Sequence, residues 1–184
     1  MGLFDWFRRN GSSPRAARDW RAACEQAIAA LDREAPARLE AWLARDAALA
    51  DDREIEEEML DALREALALE RDLAAAALPA IETAHRAAAG EPCYYSAPVS
   101  MPDDPAQPTG RLLLTSGRAA FAGGRRTPSI PWHAARDVVR AGRDLIFVRA
   151  GADDGLRFRC NTYSDAVRGA AIARHLTRAV RKPV

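Results

Sequence analysis

Five prolines, Pro92, Pro98, Pro102, Pro105 and Pro108, fall between Gly90 and Gly110 and forbid a long helix there. Each lacks an amide donor and fixes φ, so the segment must turn or extend, and Tyr94, Tyr95 and Val99 within it favour a strand. The chain reads differently on either side. Residues 13–90 read as helices, whereas residues 91–184 read as short β-type runs closed by one helix. This pattern predicts an α+β protein in three parts: an aromatic N-terminal segment and linker (1–12), a helical bundle or hairpin (13–90), and a sheet domain with a C-terminal helix (91–184).

In the helical part, Ser13 suits an N-cap and Pro14 the first helical position, and Trp20, Cys24, Ala27, Ile28 and Leu31 recur at helical spacing. Pro36 restarts a second helix with Leu39, Trp42, Leu43 and Leu49 as its apolar set. Asp51 or Asp52 caps a third helix running towards Leu78. Its Ile55, Met59, Leu63 and Leu67 form one row, widened by Leu60 and Leu73. Pro79 interrupts this helix, and a further turn or two through Ile81 and His85 ends at Gly90. The acidic run Glu54, Glu56, Glu57 and Glu58 reads as a solvated helix face, because consecutive helical carboxylates point in different directions and make no metal site.

The β-type runs are Arg111 to Thr115, Ala119 to Ala122, Thr127 to Trp132, Asp137 to Arg140, Leu145 to Arg149 and Leu156 to Cys160. In the last, Leu156, Phe158 and Cys160 alternate with Arg157 and Arg159, as one buried and one solvated face require. Gly142-Arg143-Asp144 and Ala152-Asp153-Asp154-Gly155 suit hairpin turns. A final helix is expected from about Ser164 to Val180, with Val167, Ala171, Ile172 and Leu176 on its apolar face.

Several function classes lack their signatures. Cys24, Cys93 and Cys160 are far apart and form no CxxC pair, so spacing points to neither zinc nor a redox dithiol. His85, His133 and His175 are isolated, and no P-loop, GxGxxG or GxSxG is present. The expectation is therefore a chain that is not an enzyme and takes no metal and no cofactor. No stretch approaches the ~20 apolar residues that span a bilayer, and Arg8 and Arg9 follow the N-terminal apolar residues where a signal peptide would place them first. These features and the unpaired cysteines point to the cytoplasm.

The run Gly110-Arg111-Leu112-Leu113-Leu114-Thr115-Ser116-Gly117-Arg118-Ala119-Ala120-Phe121-Ala122-Gly123 resembles the pattern of GRAM and bacterial PH-like domains, in which a Gly-x-Leu-x-Leu-Thr strand leads to an Arg and then a Phe on the next strand. Ile130-Pro131-Trp132, Val138-Val139, the Phe158 strand and the Ala-rich closing helix follow in the family's order. Ala119-Ala120 and Ala135 depart from it by replacing larger apolar residues. The resemblance covers about residues 91–180. It implies a seven-stranded, strongly bent antiparallel sheet plugged by the C-terminal helix, and a role in binding, without fixing the ligand. The helical part shows no such resemblance.

Two candidate surfaces follow. Arg118, Arg125, Arg126, Arg157 and Arg159 would bind an anionic ligand or partner if their strands adjoin, since guanidinium groups donate parallel hydrogen bonds to phosphate and carboxylate; otherwise they are a solvated face in a chain whose basic residues are 26 Arg and one Lys. Leu3, Phe4, Trp6 and Phe7, before Arg8 and Arg9, suit contact with a partner or with an anionic membrane. The loop Met101-Pro102-Asp103-Asp104-Pro105 is acidic where phosphoinositide-binding PH domains are usually basic. Trp132 reads as a plug of the sheet core. The expected function is recognition or scaffolding of a protein partner or anionic ligand; peripheral membrane association through the N-terminal segment is the alternative, and nucleic-acid binding by the Arg-rich half comes third. The long leucine-bearing helix also suits a homodimer.

The formal charge of +1 averages two unlike parts. Residues 1–90 carry 12 Arg against 18 acids, and residues 91–184 carry 15 Lys and Arg against 8 acids. Such asymmetry permits the acidic helices to dock on a basic sheet and leaves an anion-facing β domain open.

Overall fold

A computed structural model describes residues 14–46, 53–75, 78–88, 90–123, 128–151 and 155–181. The chain divides into two compact units, Met1–Ala68 and Leu69–Val184. The division falls inside the third helix, upstream of Gly90.

The first unit contains α1 (Pro14–Ala30), α2 (Ala35–Arg45) and the start of α3 (Glu54–Ala75). Trp20, fully buried on α1, donates its indole N–H to the Leu39 carbonyl of α2 at 3.1 Å. One turn on, the Cys24 thiol donates to the Met59 carbonyl of α3 at 3.5 Å. Between them, Arg21 Nε donates to Glu56 Oε1 at 2.6 Å. This corrects the reading of Glu56 as solvated: it is 2% exposed, inside the arc of Met59, Leu60, Leu63 and Ala66. At 100° per residue, an arc centred on Met59 and Leu63 takes in position 56. Ile55, in the first turn, is 39% exposed, and Leu31 lies beyond the end of α1 at φ 53°, also exposed. Leu49, Asp51 and Asp52 lie outside the described residues.

The second unit is built on β1 (Cys93–Ser100), β2 (Thr109–Thr115), β3 (Arg118–Ala122), β4 (Ser129–Pro131), β5 (Ala135–Ala141), β6 (Asp144–Arg149), β7 (Gly155–Cys160) and α4 (Tyr163–Arg181). The strands form one seven-stranded antiparallel sheet in the order β4-β3-β2-β1-β7-β6-β5. The third helix has Ala75 as its last described residue, and Ile81, expected in a further helical turn, instead forms an isolated bridge with Cys93, donating its N–H to that residue's carbonyl at 2.7 Å. Among the described residues, a 3-10 turn, Arg86–Ala88, precedes Gly90, and Ala88 packs on Cys93 and Leu113.

The sheet is strongly rolled. Three strand spacings separate β3 from β7, about 14 Å in a flat sheet, yet the rings of Phe121 and Phe158 are 6.0 Å apart. Trp132, just past β4, lies 6.3 Å from Phe147 of β6, where five spacings would give about 24 Å. The inward residues of every strand thus meet in one core, joined by Ala166, Ala170, Ile172, Ala173 and Leu176 of α4. Trp132 plugs it, 1% exposed, with its indole N–H on the Thr115 carbonyl at 2.9 Å. Thr162 caps α4 by accepting the Asp165 N–H at 3.0 Å, and Tyr95 donates its hydroxyl to the Asp165 carbonyl at 2.6 Å. Gly169 lets the helix approach: a Cβ there would stand 2.7 Å from Leu145.

Both rims of the sheet are closed. At one, β4 is three residues long and ends in Pro131. At the other, Val138 turns its amide and carbonyl outward. The amide donates to Asp137 Oδ1 at 2.7 Å, and the carbonyl accepts from Arg174 Nε at 2.9 Å. Arg181 Nη2 reaches the carbonyls of Ala135 and Arg136, the latter at 2.7 Å.

All three cysteines are buried. Burial pushes the Cys160 thiol up to about 12; Asp165 and Asp144 add to the shift, and the Tyr95 hydroxyl opposes it. The folded chain therefore holds this proton more tightly than the unfolded one. Its contribution to stability is complete below the ordinary thiol value of 9.0 and is lost as pH rises from there towards 12. Peptide mapping after iodoacetamide treatment at pH 8 is expected to find Cys160 unmodified in the native chain and modified after denaturation. Equal labelling in both would contradict its burial.

Candidate anion-binding surface

The register decides which of the expected arginines meet. Arg159 of β7 lies opposite Ser100 at one end of β1, while Thr115, three residues before Arg118, lies opposite Cys93 at the other. Seven residues of strand separate these ends, about 23 Å. Arg118 and the pair Arg157 and Arg159 therefore belong to different surfaces. Arg125 and Arg126 lie outside the described residues, as do Leu3, Phe4, Trp6 and Phe7.

Arg157 and Arg159 do come together, around a carboxylate. Asp144, opposite Arg159 in the ladder, accepts Arg159 Nε at 2.8 Å and Nη2 at 3.1 Å, and Arg157 Nε at 3.0 Å together with its Nη2. Arg157 Nη1 also reaches Asp103 of the acidic β1–β2 loop at 3.3 Å. Burial alone would raise the Asp144 carboxyl pKa. The hydrogen bonds from Arg159 and Arg157 outweigh it and hold the group below the ordinary carboxylate value. Two cations thus face two carboxylates, and little charge is left for a ligand. Arg118 is likewise engaged: its Nη2 pairs with Glu91 at 2.9 Å, and Glu91 also accepts the Thr115 hydroxyl.

A different basic surface lies where β5 meets the C-terminal half of α4. Arg174, Arg178 and Arg181 follow one another at i, i+4 and i+7, so they share a helix face. Arg174 and Arg181 reach the rim of β5, which itself carries Arg136 and Arg140. Arg174, Arg178, Arg181 and Arg136 are exposed. Arg174 and Arg181 donate to backbone carbonyls, which carry no formal charge, and Asp137 is the acid on β5. Among the described residues, no carboxylate forms an ion pair with Arg174 or Arg178. Desolvation of the guanidinium lowers the Arg174 pKa; the charge of Asp137 opposes this, and the charges of Arg140 and Arg178 add to it.

Reading the sequence for runs of arginine on one strand missed this surface. The available signal was the i, i+4, i+7 arginine row on the last helix, whose neighbour β5 is set by sheet order alone.

Among the described residues, no group of three or more His, Cys, Asp or Glu could hold a metal ion, and no helix is long and apolar enough to cross a membrane. The fold and surface define an α+β protein whose rolled antiparallel sheet is backed by a C-terminal helix and flanked by arginines. No protein-family model matches the chain, and neither does any curated protein.

Proposed function

We propose that this chain is a non-enzymatic recognition protein whose second unit is a PH/GRAM-like module, and that the β5–α4 face of that module binds an anionic partner. One observation carries the reading: on that face Arg174 and Arg181 donate to backbone carbonyls and Arg136 and Arg178 are exposed, whereas Arg157, Arg159 and Arg118 are matched by Asp144, Asp103 and Glu91. Retained positive charge on an open face both attracts and orients an anionic partner. The rolled seven-stranded sheet with its closing helix agrees with the architecture that the Gly110-to-Gly123 pattern implies.

The full-length chain is expected to be retained on immobilised polyglutamate and on phosphatidylglycerol vesicles at low salt, and to be released as salt rises. The double variant Arg136→Glu, Arg178→Glu should reduce retention at least tenfold. Failure to bind any anionic probe, or retention indifferent to that double variant, would overturn the reading.

A further inference from the structure

Resting on that assignment of the binding face, we propose that its partner is a second copy of this chain, whose α3 lays an acidic row along the arginine row of α4. The basic row is fixed by hydrogen bonds to the strand beside it. Arg174 Nε donates to the Val138 carbonyl at 2.9 Å, and Arg181 Nη2 to the carbonyls of Ala135 and Arg136, the latter at 2.7 Å. The C-terminal half of α4 therefore runs along β5 in the opposite sense, with Arg178 between the two tethered residues and Arg136 at the Arg181 end. Arg174, Arg178 and Arg181 fall within an arc of about 60° and span about 10.5 Å of helix. All four arginines are exposed, and among the described residues none of them forms an ion pair. Asp137 is the acid beside them, and its Oδ1 accepts the Val138 amide at 2.7 Å.

The complementary row is on α3. Glu54, Glu57 and Asp61 also fall within an arc of about 60°, turned away from the buried Met59, Leu60, Leu63 and Ala66. Glu54 and Glu57 are exposed and, among the described residues, enter no ion pair. The Asp61 side chain is 69% exposed; Arg64, which flanks it, is shared between Asp61 at 3.0 Å and Glu40 at 3.1 Å.

Spacing selects the orientation. Read from Asp61 back to Glu54, the acids stand at i, i+4 and i+7, the intervals of Arg174, Arg178 and Arg181. An antiparallel pair of helices thus sets Asp61 against Arg174, Glu57 against Arg178, and Glu54 against Arg181 and Arg136. A parallel pair would set Glu57 against Thr177, which is buried. The antiparallel sense also brings the positive N-terminal end of the α3 dipole beside the negative C-terminal end of α4. Single exposed ion pairs are weak. Each copy carries both rows, however, so the contact is exchanged both ways and closes a two-fold dimer in which it is made twice.

Sedimentation velocity of the full-length chain is expected to show a dimer that dissociates as salt rises from about 10 mM to about 300 mM. Polyglutamate, competing for the same arginines, should dissociate it too. Arg136→Glu with Arg178→Glu, and separately Glu54→Arg with Glu57→Arg, should each weaken self-association at least tenfold, because both contacts then bring like charges together. Mixing the two variants makes one contact native and the other charge-reversed, so the mixture should dimerise like the unaltered chain. That recovery also shows both variants to be folded.

A chain that stays monomeric at low salt, variants that dimerise as well as their parent, or a mixture that does not dimerise overturns the proposal. If the monomeric chain is still retained on polyglutamate, the face takes a different acidic partner and the broader recognition reading stands. If every anionic probe fails as well, both fall.

Discussion

Trp132→Ala is expected to destabilise the sheet unit by about 3–5 kcal/mol, the range for emptying a buried large aromatic site. Three losses coincide at this residue. The ring leaves a core in which it lies 6.3 Å from Phe147, the Thr115 carbonyl loses its 2.9 Å indole donor, and a wholly buried volume is vacated. Because Trp132 follows β4 and Phe147 sits on β6, the side chain closes the roll across five strand spacings. The walls cannot collapse inward without moving strands that are paired on both sides. Trp132→Phe restores most of the volume but no donor, and should recover all but about 1–2 kcal/mol. Hydrogen exchange resolved to β2, β3 and β6 in urea reads the loss in this unit alone. A change below about 1 kcal/mol for the alanine variant would show that Trp132 does not hold the roll together.

In the helical unit, Arg21→Leu is expected to have the larger effect of the two single changes at its ion pair, about 2–4 kcal/mol. Glu56 is 2% exposed on its side chain and Arg21 40%. Removing the cation strands a buried carboxylate. Glu56→Leu instead leaves an arginine that can turn to water, and should cost about 1 kcal/mol or less. The double variant should recover most of the loss, since a well-packed apolar pair commonly matches a buried ion pair. Urea unfolding followed by exchange of α1 and α3 amides measures the cycle. Additive single effects would mean that Arg21 and Glu56 do not depend on each other.

The helices and strands of this fold were legible because their periodicities differ and prolines and glycines mark the joints. Pro14 opens α1, Pro36 lies in the first turn of α2, and Gly142 takes φ 59° at the β5–β6 turn, all local events. Leu112 and Leu114 point inward as alternation requires. The errors arose where a distant partner outweighed local pattern. Glu56 reads as surface until Arg21 of another helix covers it, and Ile81 reads as helix until Cys93 offers a carbonyl. The arginines show the same division. That Arg157 and Arg159 share a face follows from alternation; that Asp144 neutralises them follows only from the β6–β7 register. The β5–α4 surface was hidden for a related reason, since its residues come from segments more than thirty positions apart.

The closed rim of β5 has a consequence for how this sequence can change. Arg174 and Arg181 occupy the carbonyls that would otherwise recruit a strand from another molecule, and they do so with the charge that the proposed ligand would meet. Losing either residue removes an attraction and unmasks an adhesive edge at the same moment. Variation at these positions is then judged by solubility before affinity, so the surface would be preserved even through periods when its ligand exerts no selection.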